Sequence, residues 1–159
     1  MLTTIEANLE NPVHASATLD LLNEYACDIM GGTNELSLYV KQNLINELIK
    51  RPTSMVLLVF ENDLAVGLAI AFEAFSTFNA KPYLNLHDLI VRNSARGKGI
   101  AKNILSHLES IAIQRGYCKI TLEVLEGNTR AQKVYTDFGF NNYSLNENTG
   151  RAMFWEKKL

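Results

Sequence analysis

A chain of 159 residues has the length of one domain and can bury a core of ordinary size. With 47% apolar residues, 20% charged residues and a formal net charge of −2, it carries no electrostatic footprint for nucleic acid or an anionic membrane surface. No apolar run reaches a membrane span, because Glu61-Asn62-Asp63 interrupts Met55 to Phe72, and Glu6 and Glu10 argue against a signal peptide. The expectation is one domain over residues 1–159, cytoplasmic, binding neither nucleic acid nor membrane.

In chain order, Thr3 to Ala7 reads as a short strand. Asn11-Pro12 reads as N-cap and first helical residue, since Asn can satisfy an orphan N–H and Pro has none to lose. Val13, Ala17, Leu21, Leu22, Tyr25 and Ile29 follow a helical period that Gly31-Gly32 should stop. A second helix starts at Ser37, with Leu44, Ile45, Leu48 and Ile49 on one side, and ends at Arg51-Pro52. Two strands follow, Ser54 to Phe60 and Leu64 to Phe72, joined by a polar turn. An irregular stretch, Glu73 to Pro82, leads to a third strand at Tyr83 to Val91.

A loop containing Gly97 and Gly99 comes next. Ile100, Ala101, Ile104, Leu105, Leu108, Ile111 and Ala112 then mark one helical face, with Arg115-Gly116 as last turn and C-cap. Lys119 to Leu125 alternates as a strand does. A helix from about Thr129 to Phe138 should end at Gly139, and one or two strands are expected around Tyr143 and Ala152 to Glu156. This order predicts an α/β domain whose middle strands are covered on both faces. Cys27 and Cys118 lie far apart, fit no metal knuckle, and read as small buried thiols in a reducing compartment. No metal is expected.

The chemistry concentrates around Arg96-Gly97-Lys98-Gly99-Ile100-Ala101. A strand, a glycine loop and a helix beginning at once form an anion site, because unpaired N–H groups and the positive end of the helix dipole face the loop. A tight strand-to-helix turn without a ligand would use the same residues. The glycine spacing fits neither the NTP loop nor the dinucleotide fingerprint.

Three stretches together resemble the GNAT family of acyl-CoA-dependent N-acetyltransferases. Arg96-x-x-Gly99-x-Ala101 matches its Arg/Gln-x-x-Gly-x-Gly/Ala signature, and Leu86-His87-Asp88-Leu89-Ile90-Val91 resembles its fourth strand. Asn128-x-x-Ala131-x-x-x-Tyr135-x-x-x-Gly139-Phe140 is similar to its second conserved segment. The resemblance implies a GNAT-like domain with a mixed, mostly antiparallel sheet and helices on both faces. It also implies acetyl-CoA as co-substrate, direct attack of an amine on the thioester, and a homodimer. A weaker likeness to the spermidine/spermine acetyltransferase branch runs from Phe75 to the His-Asp strand, although His87 stands where those enzymes commonly carry glutamate.

His87 is the candidate base, since histidine changes charge nearest neutral pH; a buried histidine bonded to backbone is the alternative. Asp88 would hold the substrate ammonium if a bulge turns it to the side of His87, or else is a structural carboxylate. The resemblance makes Tyr135 the general acid for the CoA sulfur, assigns backbone contacts to Leu89 and Val91, and gives the pyrophosphate to Arg96 through Ala101. Asn128 would take the pantetheine, or be only a helix N-cap. Arg130 and Lys133 would reach the outer phosphate or form a solvated face. Glu24, Tyr25, Asp28, Phe72, Phe75 and Phe78 are an acidic, aromatic set near the acceptor, though most of the aromatics suit the core. A small-molecule amine, polyamine-like or amino-acid-like, is the expected acceptor; a protein or peptide amine, or an acyl-CoA sensor without turnover, are the alternatives.

Overall fold

The computed structural model describes residues 1–159, which divide into two compact units, Met1–Leu122 and Glu123–Leu159. The first contains a five-stranded sheet in sequential order: β1 (Leu2–Glu6), β2 (Ser54–Glu61), β3 (Leu64–Ser76), β4 (Lys81–Val91) and β5 (Ile120–Leu122). Successive pairs from β1 to β4 are antiparallel and β4 pairs β5 in parallel. The expected mixed, mostly antiparallel α/β arrangement is present.

Helices cover both faces. α1 (Pro12–Ala26) starts as its sequence dictates: Pro12 fills the first turn and the Asn11 side chain accepts from the Val13 N–H at 2.9 Å. α2 (Leu38–Ile49) is capped by Ser37, whose hydroxyl accepts from the Val40 N–H. Ala17 and Leu21 of α1 and Leu48 of α2 join Val56, Leu58, Leu68 and Ile70 in one buried cluster. α3 (Ile100–Gln114) lies on the opposite face. There Gly67 lets the helix approach, since a Cβ would stand 2.9 Å from an Ile100 methyl and 3.2 Å from Val59.

Several expectations need correction. α1 ends at Ala26, so Ile29 lies outside it and is 79% exposed. The stop is made by Asp28, not by the glycine pair: its N–H returns to the Tyr25 carbonyl and its carboxylate accepts from the Met30 N–H, a local bond that competes with helix. Glu73 to Pro82 is not irregular. β3 and β4 pair as far as Ser76 opposite Lys81, a hairpin masked in sequence by outward-facing Phe75 and by Pro82. Phe75 and Phe78 are exposed and contribute nothing to the core. β5 is shorter than its alternating pattern, with Val124 and Leu125 beyond its end. Neither cysteine is buried: Cys27 is exposed and Cys118 half-buried. No helix is long and apolar enough to cross a membrane.

The second unit contains α4 (Thr129–Asp137) and a turn stabilised by Phe138–Phe140 stacking and an edge-on Tyr135–Phe140 contact. The tail strands are absent. One isolated bridge joins Ser144 to Arg151, and Met153, Phe154 and Trp155 are exposed. Alternation supplies one strand's pattern but not the partner whose N–H and C=O groups complete a ladder.

Candidate functional site

β4 carries the first half of the site. Its register against β3 slips between Ile70 and Ala71: Ile70 faces Asp88 and Ala71 faces Leu86, leaving His87 as the extra residue of a bulge. In a regular strand His87 and Asp88 would face opposite sides. Here both line one cavity of about 380 Å³. His87 is exposed and its ring meets Phe72 edge-on, with centroids 5.7 Å apart, so the buried-histidine alternative fails.

The rest of the cavity is largely apolar and comes from three elements and the segment between α1 and α2, which supplies Gly31 and Leu36. α1 contributes Leu22, Tyr25 and Ala26, and β3 contributes Ile70 and Phe72. α2 contributes Val40, Leu44 and Leu48, a stripe at four-residue intervals in which Val40 extends the expected apolar side. Gly31 closes one side through its backbone. A Cβ there would stand 1.9 Å from the Tyr25 carbonyl oxygen, so the segment can fold against α1 only with glycine at this position.

Burial pushes the Asp88 carboxyl above the usual aspartate range, while charge on His87 pulls the other way. The Tyr25 phenol is pushed up as well, first by burial and then by Asp88 and Asp28. Asp28 behaves oppositely. The Met30 N–H and then the Arg96 guanidinium, 3.0 Å away, hold it below the usual range. Glu24 accepts from Arg92 at 2.8 Å and from the Asn93 N–H. The acidic residues expected near the acceptor are thus divided: Glu24 and Asp28 are tied to arginines, and Asp88 faces the cavity.

Beyond the bulge, β4 outruns β5, whose last pair is Leu86 with Leu122. The Arg92 N–H bonds the Val66 carbonyl on β3. By the two-residue alternation of an antiparallel ladder, the N–H and C=O groups of Leu89 and Val91 point away from β3, toward the edge β5 has left. The Val91 carbonyl accepts there from Arg96 Nε at 3.1 Å.

The strand then runs through one turn of 3-10 helix, Asn93–Ala95, into the glycine loop. Gly97 and Gly99 have φ of +84° and +78°, which disfavour any side chain, and the space before each is open. Gly99 is the N-cap of α3 and has no side chain to occupy the helix's orphan N–H groups. This is the cradle an anion requires. Within it, the Arg96 guanidinium turns back to Asp28 and Val91, and the Lys98 ammonium pairs with Glu61 at 3.0 Å. Both basic side chains of the loop are thus engaged by carboxylates.

In the second unit, Tyr135 is half-buried on α4. Asn128 is an N-cap, its side chain accepting from the Ala131 N–H at 3.1 Å. Arg130 is exposed, and Lys133 pairs with Asp137 on the same helix at 2.9 Å.

Residues 19–140 match the acetyltransferase (GNAT) family. An uncharacterized N-acetyltransferase, YhfO, of Bacillus subtilis is 30% identical over 144 residues, covering 83% of this chain and 91% of that protein. A thialysine N-epsilon-acetyltransferase of Bos taurus is 30% identical over 74 residues, covering 46% of this chain and 43% of that one. The fold is shared with AAC(6')-Iy solved with a CoA-S-monomethyl-acetylneamine bisubstrate analogue, at TM-score 0.78 and 18% identity over 100% of this chain and 99% of that one.

Proposed function

Since the chain belongs to the acetyltransferase (GNAT) family and is an N-acetyltransferase, we propose that it moves the acetyl group of acetyl-CoA to a small-molecule amine bound beside His87 and Asp88. One observation carries this reading: a single stretch, His87 to Ala101, joins a cavity-facing imidazole and carboxyl to an edge of outward backbone groups and a glycine-bounded helix terminus. An amine acceptor and a phosphate-bearing thioester need those features in that order.

The thioester supplies an activated acyl group whose carbonyl oxygen gains charge as the amine attacks. Asp88 holds the incoming ammonium and His87 removes its proton through an imidazole nitrogen, because only the neutral amine has the lone pair for attack. The Leu89 N–H donates to the acetyl oxygen, and the backbone of Val91 pairs with the pantetheine arm. The amides of Gly97, Lys98, Gly99, Ile100 and Ala101 hold the pyrophosphate, while Arg96 braces that loop. Tyr135 gives its phenolic proton to the departing sulfur; its support is its place in the Asn128-x-x-Ala131-x-x-x-Tyr135 pattern. Asn128 contributes to the pantetheine contact through whatever capacity its capping bond leaves.

The test is thiol release from acetyl-CoA with and without an amine, with pH–rate profiles of His87→Ala and Tyr135→Phe. Acetyl-CoA should raise the thermal midpoint of all three proteins. His87→Ala should remove the rise of kcat/KM with pH, and Tyr135→Phe should lower kcat. An unchanged profile removes His87 as base, and full turnover in Tyr135→Phe removes the acid.

A further inference from the structure

We propose that the acceptor carries one positive charge on an apolar body, and that Val40, Leu44 and Leu48 of α2 select that body. The inference rests on the acetyl-transfer reading above and names the class of amine. The cavity has one polar corner, where the bulge turns His87 and Asp88 inward. Among its lining side chains only Asp88 can pair with an ammonium by opposite charge. The Tyr25 hydroxyl already donates to the Met30 carbonyl at 3.1 Å.

The other carboxylates nearby do not supply a second anchor. Glu24 is held by Arg92 at 2.8 Å and Asp28 by Arg96 at 3.0 Å. A second ammonium reaching along the cavity from Asp88 would lie against leucine, valine and phenylalanine side chains, losing water without gaining an anionic partner. A methylene chain or ring in the same place gains from burial. At about 380 Å³ the cavity lies toward the small end of ligand sites, suited to one ring or a branched chain on a short arm. The polyamine likeness of the sequence therefore does not extend to the acceptor.

The decisive comparison is hexylamine against 1,6-diaminohexane, equal in length and differing only in the far ammonium. Thiol release from acetyl-CoA would be followed with both, and with butylamine, phenethylamine and spermidine. We expect kcat/KM to rise roughly fourfold per added methylene until the cavity fills. Hexylamine should exceed the diamine by tenfold or more. Val40→Glu, which adds a carboxylate to the apolar wall, should narrow or reverse that ratio, with its acetyl-CoA thermal shift reporting a folded protein. A diamine or spermidine within tenfold of hexylamine on the wild-type protein would overturn the inference and leave acetyl transfer standing. No transfer to any amine, with or without a thermal shift, would overturn both.

Discussion

Asp28 and Asp88 belong to the same unit and are held in opposite ways. Asp28 is held below the usual aspartate range by the Met30 N–H and Arg96, whereas burial makes ionisation of Asp88 costly. The first ties the glycine loop to the end of α1, and the second faces the cavity. Residue type alone does not distinguish a brace from a cavity-facing carboxyl; the partner does. The Arg96–Asp28–Met30 chain also leads from the glycine loop to the segment whose Gly31 borders the cavity, so loop and cavity share a support.

The largest expected effect is on Asp88→Asn, which keeps the shape and removes the charge. Amine-dependent kcat/KM should fall by roughly 100-fold, as when one partner of a desolvated charge pair is removed, while the thermal midpoint holds or rises. Full activity would place Asp88 with the braces and end the contrast. Next comes Gly99→Ala, which puts a side chain at φ +78° without a clash. It should cost about 1–2 kcal/mol in denaturant melts. Acetyl-CoA affinity by titration should weaken about tenfold as the helix mouth shifts.

Asp28→Asn should cost about 0.5–1 kcal/mol at neutral pH and raise KM for acetyl-CoA more than KM for the amine. A larger change in the amine term would mean that Asp28 acts on the acceptor. The smallest effect is a difference in sign between two pH curves. A depressed folded-state pKa gives stability that is present above the unfolded value near ~3.9 and lost as pH falls through the folded value. Wild type should thus exceed Asp28→Asn at neutral pH, and the gap should close in acid. A raised pKa works the other way: the native state favours the protonated form, so stability falls as pH climbs through it. Asp88→Asn should therefore melt above wild type at neutral pH and converge with it in acid. Two melting series against pH check both signs.

Much of the glycine loop and of the helix starts was legible because their determinants are local. Asn11-Pro12 and Ser37 cap as their chemistry requires, and Gly97 and Gly99 occupy backbone angles that few other residues accept. An outward Leu89 and Val91 follow from strand alternation once the register is known. The cavity was legible only in pieces. Glu24, Tyr25, Asp28 and Phe72 stand out in the sequence, but no spacing says that arginines 68 positions away take Glu24 and Asp28. Phe75 and Phe78 pass for core in sequence because apolarity does not reveal which face of a hairpin meets solvent. The tail failed for a related reason, since a strand needs a partner that its own pattern cannot name.

The helix starts, the glycine loop and the family motifs are thus readable in the sequence, all written within a few neighbouring residues where capping, φ and periodicity operate. Tertiary structure alone decided that one slipped register turns His87 and Asp88 to the same side and gives them an apolar cavity. Register is a property of two strands together, and charge pairing a property of groups far apart in the chain. Neither exists until the sheet has formed.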